Sequence, residues 1–453
     1  MQEAIIKPRP LHRRFLFLAF CVFDAIVLVA IGVLGPTIAL FGLAGISVLV
    51  ILSFSPIALI AIVFFTSYIA SVPGIDPHVF VYGKLALIAG FLWLAILRFV
   101  IERKKFEAEF GNFEKAVMLF IIWVGIITVT AVRPIDSFRT LRHFIILFII
   151  YYAALETISR RIHIWTIFYI VLVASIVTGL YSASHLLGGP IFRIVGFLGN
   201  ANSLGILGFT TLSILLAATA MSRSRWEKSL FITGMLSSLF FLGFSWSRGS
   251  WLAACGMAAA YMWMERRRLL KLLVLMGIVA FMVVLLYEPF YSTFYNVGRI
   301  GSLTTRRDVY WQYGLKKALD RPIFGHGFNL LKGDVRSTER LSDIQEVTVF
   351  KTSSEHFYPH NLIVLLFLST GLPGLIIFGF VYYYLFKRHR LWRKSATNRS
   401  RRILHTAILG LLVASIINSM FETGLFLGDE AYANYLWGFL GLAAAVEKKN
   451  IDI

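Results

Sequence analysis

His360 follows Pro359 and precedes Asn361, where a long polar stretch from Glu288 to Asn361 gives way to an apolar run. An imidazole there can take a proton from a hydroxyl near neutral pH, the work of a general base. The plainer reading is a polar anchor at a membrane interface. Arg248 lies in Ser245-Trp246-Ser247-Arg248-Gly249-Ser250-Trp251, a tight turn between two apolar runs. Left unpaired at full depth, a guanidinium costs up to about 2.5–3.5 kcal/mol, and less near the edge. Such a residue calls for an anionic partner, and phosphate suits it because the planar fork grips two oxygens at once. The alternative is a snorkelling anchor flanked by tryptophans. Arg193 opens the segment Arg193 to Asn202, whose glycines and asparagines suit a turn and a helix cap. A helix starting near Asn202 beside Arg193 would also make an anion site.

Arg307 belongs to the polar stretch itself. Thr305 to Leu319 reads as an amphipathic helix with Trp311, Leu315, Ala318 and Leu319 on its apolar face. Arg307 sits one turn ahead of Trp311 on that face, whereas Arg306, Lys316 and Lys317 point to solvent or lipid head groups. Pro322, Gly325 and Gly327 then stop the helix, and His326 reads as a loop residue. Glu422 falls in the outer part of the next-to-last apolar run. Intramembrane carboxylates are functional candidates by default, and Glu422 is a partner for one of the external arginines. Asp24 is a second acid of this kind. The sequence carries no HExxH, carboxylate metal pair, phosphate-binding loop or dinucleotide fingerprint, so neither a metal nor another cofactor is expected.

These residues must be positioned by membrane helices. The chain has 453 residues, 58% of them hydrophobic and 15% charged, with mean hydropathy +0.75. Its apolar runs are continuous and of the length that crosses ~30 Å of hydrocarbon, which excludes an alternating β-barrel. The first run follows Arg13-Arg14 without a small-residue cleavage site and reads as a retained helix. A net charge of +20 resembles a nucleic-acid signal, but the basic residues form short clusters between apolar runs, where they set orientation. No nucleic-acid partner is expected. Cys21 and Cys255 both fall in predicted spans, which argues against a disulfide framework.

Basic clusters at Arg103 to Lys105, Arg160-Arg161, Arg223 to Lys228, Arg266 to Lys271, Lys387 to Arg402 and Lys448-Lys449 are each separated by two apolar runs. One orientation satisfies them all, with both termini cytoplasmic. The expected spans are 15–34, 37–53, 55–72, 80–100, 115–132, 142–157, 164–184, 202–221, 229–246, 250–264, 270–288, 361–386, 403–425 and 432–446. The stretch 37–72 leaves the total at 12 to 14 transmembrane helices. The fold class is thus an all-α polytopic membrane protein, with one large external loop between the eleventh and twelfth predicted helices. Its expected parts are 1–114 (N-terminal helices), 115–288 (central helices with arginine-bearing external turns), 289–360 (external loop with the amphipathic helix) and 361–453 (C-terminal helices). Arg133 to Arg142, His185 to Asn202, Ser245 to Ser250, the insert and Gly428 to Glu430 then lie on the external side.

Four blocks in this order resemble the O-antigen ligase and polymerase superfamily of bacterial envelope glycan assembly. Arg193-x-x-Gly196 with Asn200-Ala201-Asn202 is similar to its R-x-x-G-f-x-N-P-N segment, with Ala201 where proline is usual. Ser247-Arg248-Gly249 looks like its Ser-Arg-Gly turn. Arg307 to Trp311, followed by Pro322 and Gly325-His326-Gly327, resembles R-x-x-x-W … P-x-x-G-x-G. His360-Asn361 with Gly371 to Leu375 resembles H-N … G-x-x-G. The likeness spans roughly 190 to 380.

The resemblance implies a GT-C-like, metal-independent glycosyltransferase on the external face of the bacterial inner membrane. Its donor would be a glycan on undecaprenyl diphosphate, its acceptor lipid A-core or another surface glycan, and its surroundings membrane lipids. Arg193, Arg248 and Arg307 would hold the diphosphate and steady the leaving charge, Arg248 thereby sharing in catalysis. His360 would orient or deprotonate the attacking hydroxyl, with Asn202, Asn361, Glu422 and Trp311 in support. The ligase is the expected activity and a polymerase using the same donor is the alternative. A transporter of an anionic solute fits less well, because the candidate charges cluster at one interface and not at mid-membrane.

Overall fold

The computed structural model describes residues 110–184, 194, 198, 200–265, 307–331, 356–423 and 431–452, all within one compact unit. Among these residues the structure is helical, with no strand and one isolated antiparallel bridge between Leu331 and His356. The helices are α1 (Asn112–Thr130), α2 (Pro134–Thr157), α3 (Arg161–Ser184), α4 (Ala201–Met221), α5 (Arg225–Phe244), α6 (Arg248–Glu265), α7 (Arg307–Asp320), α8 (Leu362–Ser395), α9 (Arg399–Ser419) and α10 (Ala431–Lys448). Six of these described helices, α1 to α4, α8 and α9, are long and apolar enough to cross a membrane. The expected spans 15–34, 37–53, 55–72, 80–100 and 270–288 lie outside the described residues, as do Cys21, Asp24 and Arg193.

Local sequence starts the helices where polar side chains can cap them. Asn200, Ser224, Asn361 and Asn398 each accept a hydrogen bond from a backbone N–H in the first turn that follows. Hydroxyls within the apolar helices bond back to the preceding turn, as Thr210 does to the Ile206 carbonyl at 2.8 Å. Each such bond satisfies a hydroxyl that would otherwise be unpaired in a low-dielectric interior.

α10 is the centre of the bundle. It is buried all round from Tyr432 to Val446 and packs on α2, α4 and α9. A Cβ at Gly441 would lie 2.3 Å from the Tyr151 carbonyl oxygen, so α10 and α2 approach at backbone distance. On the outer helices the apolar side chains of Val129, Val173, Leu180 and Leu236 are exposed, as expected of faces solvated by lipid and not water.

Contacts sort the helix ends into two sets. At one end meet the end of α1, the starts of α2, α4, α6 and α8, and the turn after α9. At the other, Glu114 of α1 receives Arg388 of α8 at 2.7 Å and Tyr151 of α2 at 2.5 Å. There too the α10 residue Glu447 meets His405 of α9 at 2.9 Å, and Lys449 reaches the Glu156 and Ile158 carbonyls. The basic links Arg160-Arg161 and Lys387 to Arg402 lie at this second end.

Several expected boundaries move. Arg133 to Arg142 is not an extended external link, because α2 begins at Pro134, where a proline at N1 and Asp136 in the first turn favour a helix start. α8 continues to Ser395 instead of ending near 386. α9 ends at Ser419, and the Phe421 and Glu422 N–H groups turn back to the Asn418 carbonyl at 2.8 Å. Glu422 therefore sits in the turn beyond the span. α7 buries Val309, Tyr313, Gly314 and Ala318, not the expected Trp311, Leu315 and Leu319; Leu315 and Leu319 are 43% and 67% exposed. The cause is that α7 packs on α8 and Phe357 through its glycine face, not through its largest apolar side chains.

Candidate active site

A break in α8 holds the insert in place. Gly371 has φ +66° and ψ −177°, a region open essentially only to glycine. The break frees the Leu368 and Ser369 carbonyls, which accept from the His326 and Gly327 N–H groups at 2.9 Å each. Leu372 N–H donates to the Pro322 carbonyl at 2.8 Å. A Cβ on Gly325 would come within 2.5 Å of the Ser369 carbonyl, and one on Gly371 within 2.1 Å of the Ile323 carbonyl oxygen. The Pro-x-x-Gly-x-Gly and Gly-x-x-Gly blocks are thus two halves of one backbone-on-backbone joint.

Further contacts carry that joint to α7. The His326 ring donates to the Lys317 carbonyl at 2.9 Å, and its own carbonyl accepts from Val132 N–H at 3.0 Å. Burial pushes the His326 pKa below its ordinary value, outweighing the Lys317 carbonyl that works the other way. Val309, Tyr313 and Ala318 form a small core with Leu330, Phe357 and Leu368. A Cβ at Gly314 would lie 2.7 Å from Val364. α7 is therefore fixed against the start of α8, with Arg307 at its first residue.

Glu422 is the hub of the site. Its Oε1 accepts from Asn202 Nδ2 at 2.6 Å and from Arg307 Nη2 at 2.9 Å, and its Oε2 faces His360 Nδ1 at 3.1 Å. The Glu422 side chain is 9% exposed, against 21% for Arg307 and 34% for His360. Arg307 Nη1 also donates to the Phe421 carbonyl. A carboxylate only accepts, so the Nδ1–H of His360 is the donor, and in the neutral ring Nε2 carries the lone pair.

The backbone aims His360 at some cost. Its φ is +50°, the left-handed region that L-residues avoid by roughly 1–2 kcal/mol. Trp311 Nε1 donates to the Pro359 carbonyl at 2.9 Å, and Asn361 caps α8 while donating to the Met420 carbonyl at 3.2 Å. Tyr358 meets the His360 ring edge-on at 4.8 Å and hydrogen bonds Thr423. The residues around His360 thus over-determine a strained conformation, a pattern concentrated at functional sites.

Arg248 is the first residue of α6, half-buried. Gly249 beside it lets α6 approach the turn after α9, since a Cβ there would lie 2.8 Å from the Phe421 Cβ. Gly205 of α4 lies as close to Ser245 and Ser250, and Ser247 and Ser250 bond each other at 2.9 Å. The start of α4, the Ser-Arg-Gly turn, α7, His360 and Glu422 thus share one corner of the bundle.

Of the candidates named from sequence, Asn202, Arg307, Trp311, His360, Asn361 and Glu422 meet through direct bonds or a single backbone group. Arg248 joins through Gly249 and Phe421, and Arg193 lies outside the described residues. Arg307 stands in an ion pair with Glu422, a geometry beyond the diphosphate contact expected of it. Sequence reasoning missed Tyr358 and Thr423, which show no pattern at their separation. It also missed the joint around Gly371; the doubled glycines of both blocks were its available signal. The described residues hold no group of three or more His, Cys, Asp or Glu suited to a metal.

No curated protein matches the chain. Residues 233–379, the stretch holding Arg248, Arg307, His360 and the α8 break, match the model of the family described as O-antigen ligase. The match supports membership of this chain in the O-antigen ligase and polymerase superfamily.

Proposed function

We propose that the chain is a glycosyltransferase that moves a glycan from undecaprenyl diphosphate to an acceptor hydroxyl on the external face of the inner membrane, as an O-antigen ligase acting on lipid A-core or a similar surface glycan. The observation that carries this is the Glu422 hub, which ties His360 to Arg307 and Asn202 in a corner to which the segment matching the family contributes Arg248, Arg307 and His360. The described basic links lie at the opposite end, with the C-terminal end of α10, which supports an external site by the positive-inside rule.

In this reaction the acceptor oxygen forms a bond to the anomeric carbon while the bond from that carbon to the diphosphate breaks, with inversion. His360 Nε2 takes the hydroxyl proton as Glu422 holds Nδ1–H and steadies the imidazolium. The Arg248 guanidinium, and the N–H groups of Arg307 not engaged with Glu422 and Phe421, receive the charge that develops on the leaving diphosphate. Arg193, a candidate from the sequence alone, would add a third cation, and the proposed reaction calls for no metal. Holding donor and acceptor in line supplies a further share of the acceleration.

The test is reconstitution of the full chain with a labelled glycan on polyprenyl diphosphate and lipid A-core. Labelled lipid A-core is the expected product. A ladder of longer lipid-linked chains would make the chain a polymerase. Solute flux that survives His360→Ala and Arg248→Ala, without glycan transfer, would make it a transporter.

A further inference from the structure

A cavity lies at the end of the bundle away from His360. Lys387 falls roughly 40 Å beyond Leu362 along the path of α8, where the helix leaves its apolar stretch. There α6, α8 and α9 enclose an open cavity of about 1620 Å³, well above the ~300–1,000 Å³ of a small-ligand pocket. Its walls are apolar: Ala260 and Trp263 from α6, Leu409 and Val413 from α9, and Tyr383 from α8. Trp263 is 84% exposed and Tyr383 53%, the placement of aromatics at a membrane interface.

One face of α8 makes the rim cationic. Lys387, Arg390 and Lys394 stand at i, i+3 and i+7, so all three line the same stripe beside the cavity. Among the described residues no acid pairs with any of them. Arg393, which also reaches the cavity, is engaged internally: it donates to Thr406 at 2.9 Å and to the Met264 carbonyl, and lies 3.6 Å from Glu265. Glu265 is in turn 4% exposed and accepts from Thr406 at 2.8 Å. The nearby acid is therefore committed to Arg393 and Arg402, and three like charges spaced a turn apart repel each other until an anion lies between them.

We propose that this cavity binds an anionic phospholipid of the leaflet at that end, its phosphate on Lys387, Arg390 and Lys394 and its acyl chains along the α6 and α9 walls. Charge complementarity selects the head group, and the apolar volume selects a long-chain amphiphile over a free anion. The lipid would brace α6 against α8 and α9, all three of which continue to the candidate active site at the other end.

The test uses the full chain in nanodiscs of phosphatidylcholine containing phosphatidylglycerol, with retained lipid counted by native mass spectrometry. The wild-type chain should retain phosphatidylglycerol in preference. Together, Lys387→Gln, Arg390→Gln and Lys394→Gln should weaken that preference roughly 100-fold, at about fivefold per cation. Ala260→Trp keeps every charge and fills the wall, and should lose the lipid as well. Arg160→Gln, Arg161→Gln and Lys228→Gln remove equal charge from the same end and should change retention little. Equal retention by the rim triple variant and the wild type would overturn the proposal. So would equal loss in the control triple, or undiminished retention by Ala260→Trp.

Discussion

Glu422→Gln is the sharpest perturbation of the site, because it changes one atom and reverses one hydrogen bond. Oε1 of Glu422 takes two donors, Asn202 at 2.6 Å and Arg307 at 2.9 Å, while Oε2 takes His360 Nδ1 at 3.1 Å. A glutamine places its single oxygen where two donors converge, so its NH2 falls opposite His360. Two N–H groups 3.1 Å apart cannot bond, and the ring must turn its lone pair to Nδ1. The proton then sits on Nε2, the atom that should accept it from the acceptor hydroxyl. General-base contributions run to about 10²–10⁴-fold, and a comparable tautomer swap in a serine protease lowers kcat about 10⁴-fold. The expected loss in kcat is therefore about 10²–10⁴-fold, or ~3–5 kcal/mol in barrier. The donor KM should move less than about tenfold, because the arginines proposed to meet the diphosphate remain. Transfer of labelled glycan in proteoliposomes, run over a series of donor concentrations, reads both quantities. His360→Ala combined with Glu422→Gln should be no slower than His360→Ala alone, since both act on one step. A Glu422→Gln rate within tenfold of wild type, or a double variant slowed by the product of the two single effects, would refute the reasoning.

Other outcomes follow from the same geometry. His360→Gly and His360→Ala should both be inactive, yet the glycine form should be the more stable by about 1 kcal/mol because φ is +50° at that position; thermal unfolding in detergent compares them. Gly371→Ala should destabilise the chain by several kcal/mol and abolish transfer, since its Cβ would overlap the Ile323 carbonyl in a backbone region closed to alanine. For His326 the folded-state pKa is depressed by burial, so the unfolded chain binds more protons just below pH 6.5. The His326 contribution to stability is thus present above about pH 6.5 and falls as the pH drops toward the folded-state pKa, and His326→Gln should flatten that acid limb in a melting-temperature series. Glu114→Ala leaves Arg388, whose side chain is only 14% exposed, without its carboxylate; the expected loss is about 3–5 kcal/mol, read by the same unfolding assay.

Hydropathy marks hydrocarbon, and this is why the helical class and the approximate positions of α1, α3, α4 and α10 were legible in the sequence. It does not mark where a helix stops. α2 extends outward to Pro134 and α8 continues to Ser395, because polar helix in the head-group region lacks the apolar signal. The register of α7 was lost for a related reason. Leu315 and Leu319 look like core residues, yet the helix docks through Gly314, whose missing side chain is what permits close packing on Val364. The site was partly legible. His360, Arg307 and Glu422 are each anomalous beside a lipid-spanning run, which singled them out one by one. Their convergence on a single carboxylate depends on the break at Gly371 and the turn after α9, and these are set by tertiary contacts that no local pattern encodes.

The most direct measurement is single-turnover release of polyprenyl diphosphate from its labelled glycan conjugate, by wild-type chain and by His360→Ala, at donor concentrations that saturate binding. The expected result is that His360→Ala retains the donor with near wild-type affinity and releases diphosphate at least about 100-fold more slowly. Release at the wild-type rate by His360→Ala would contradict the assignment of proton transfer to His360, and with it the role of Glu422.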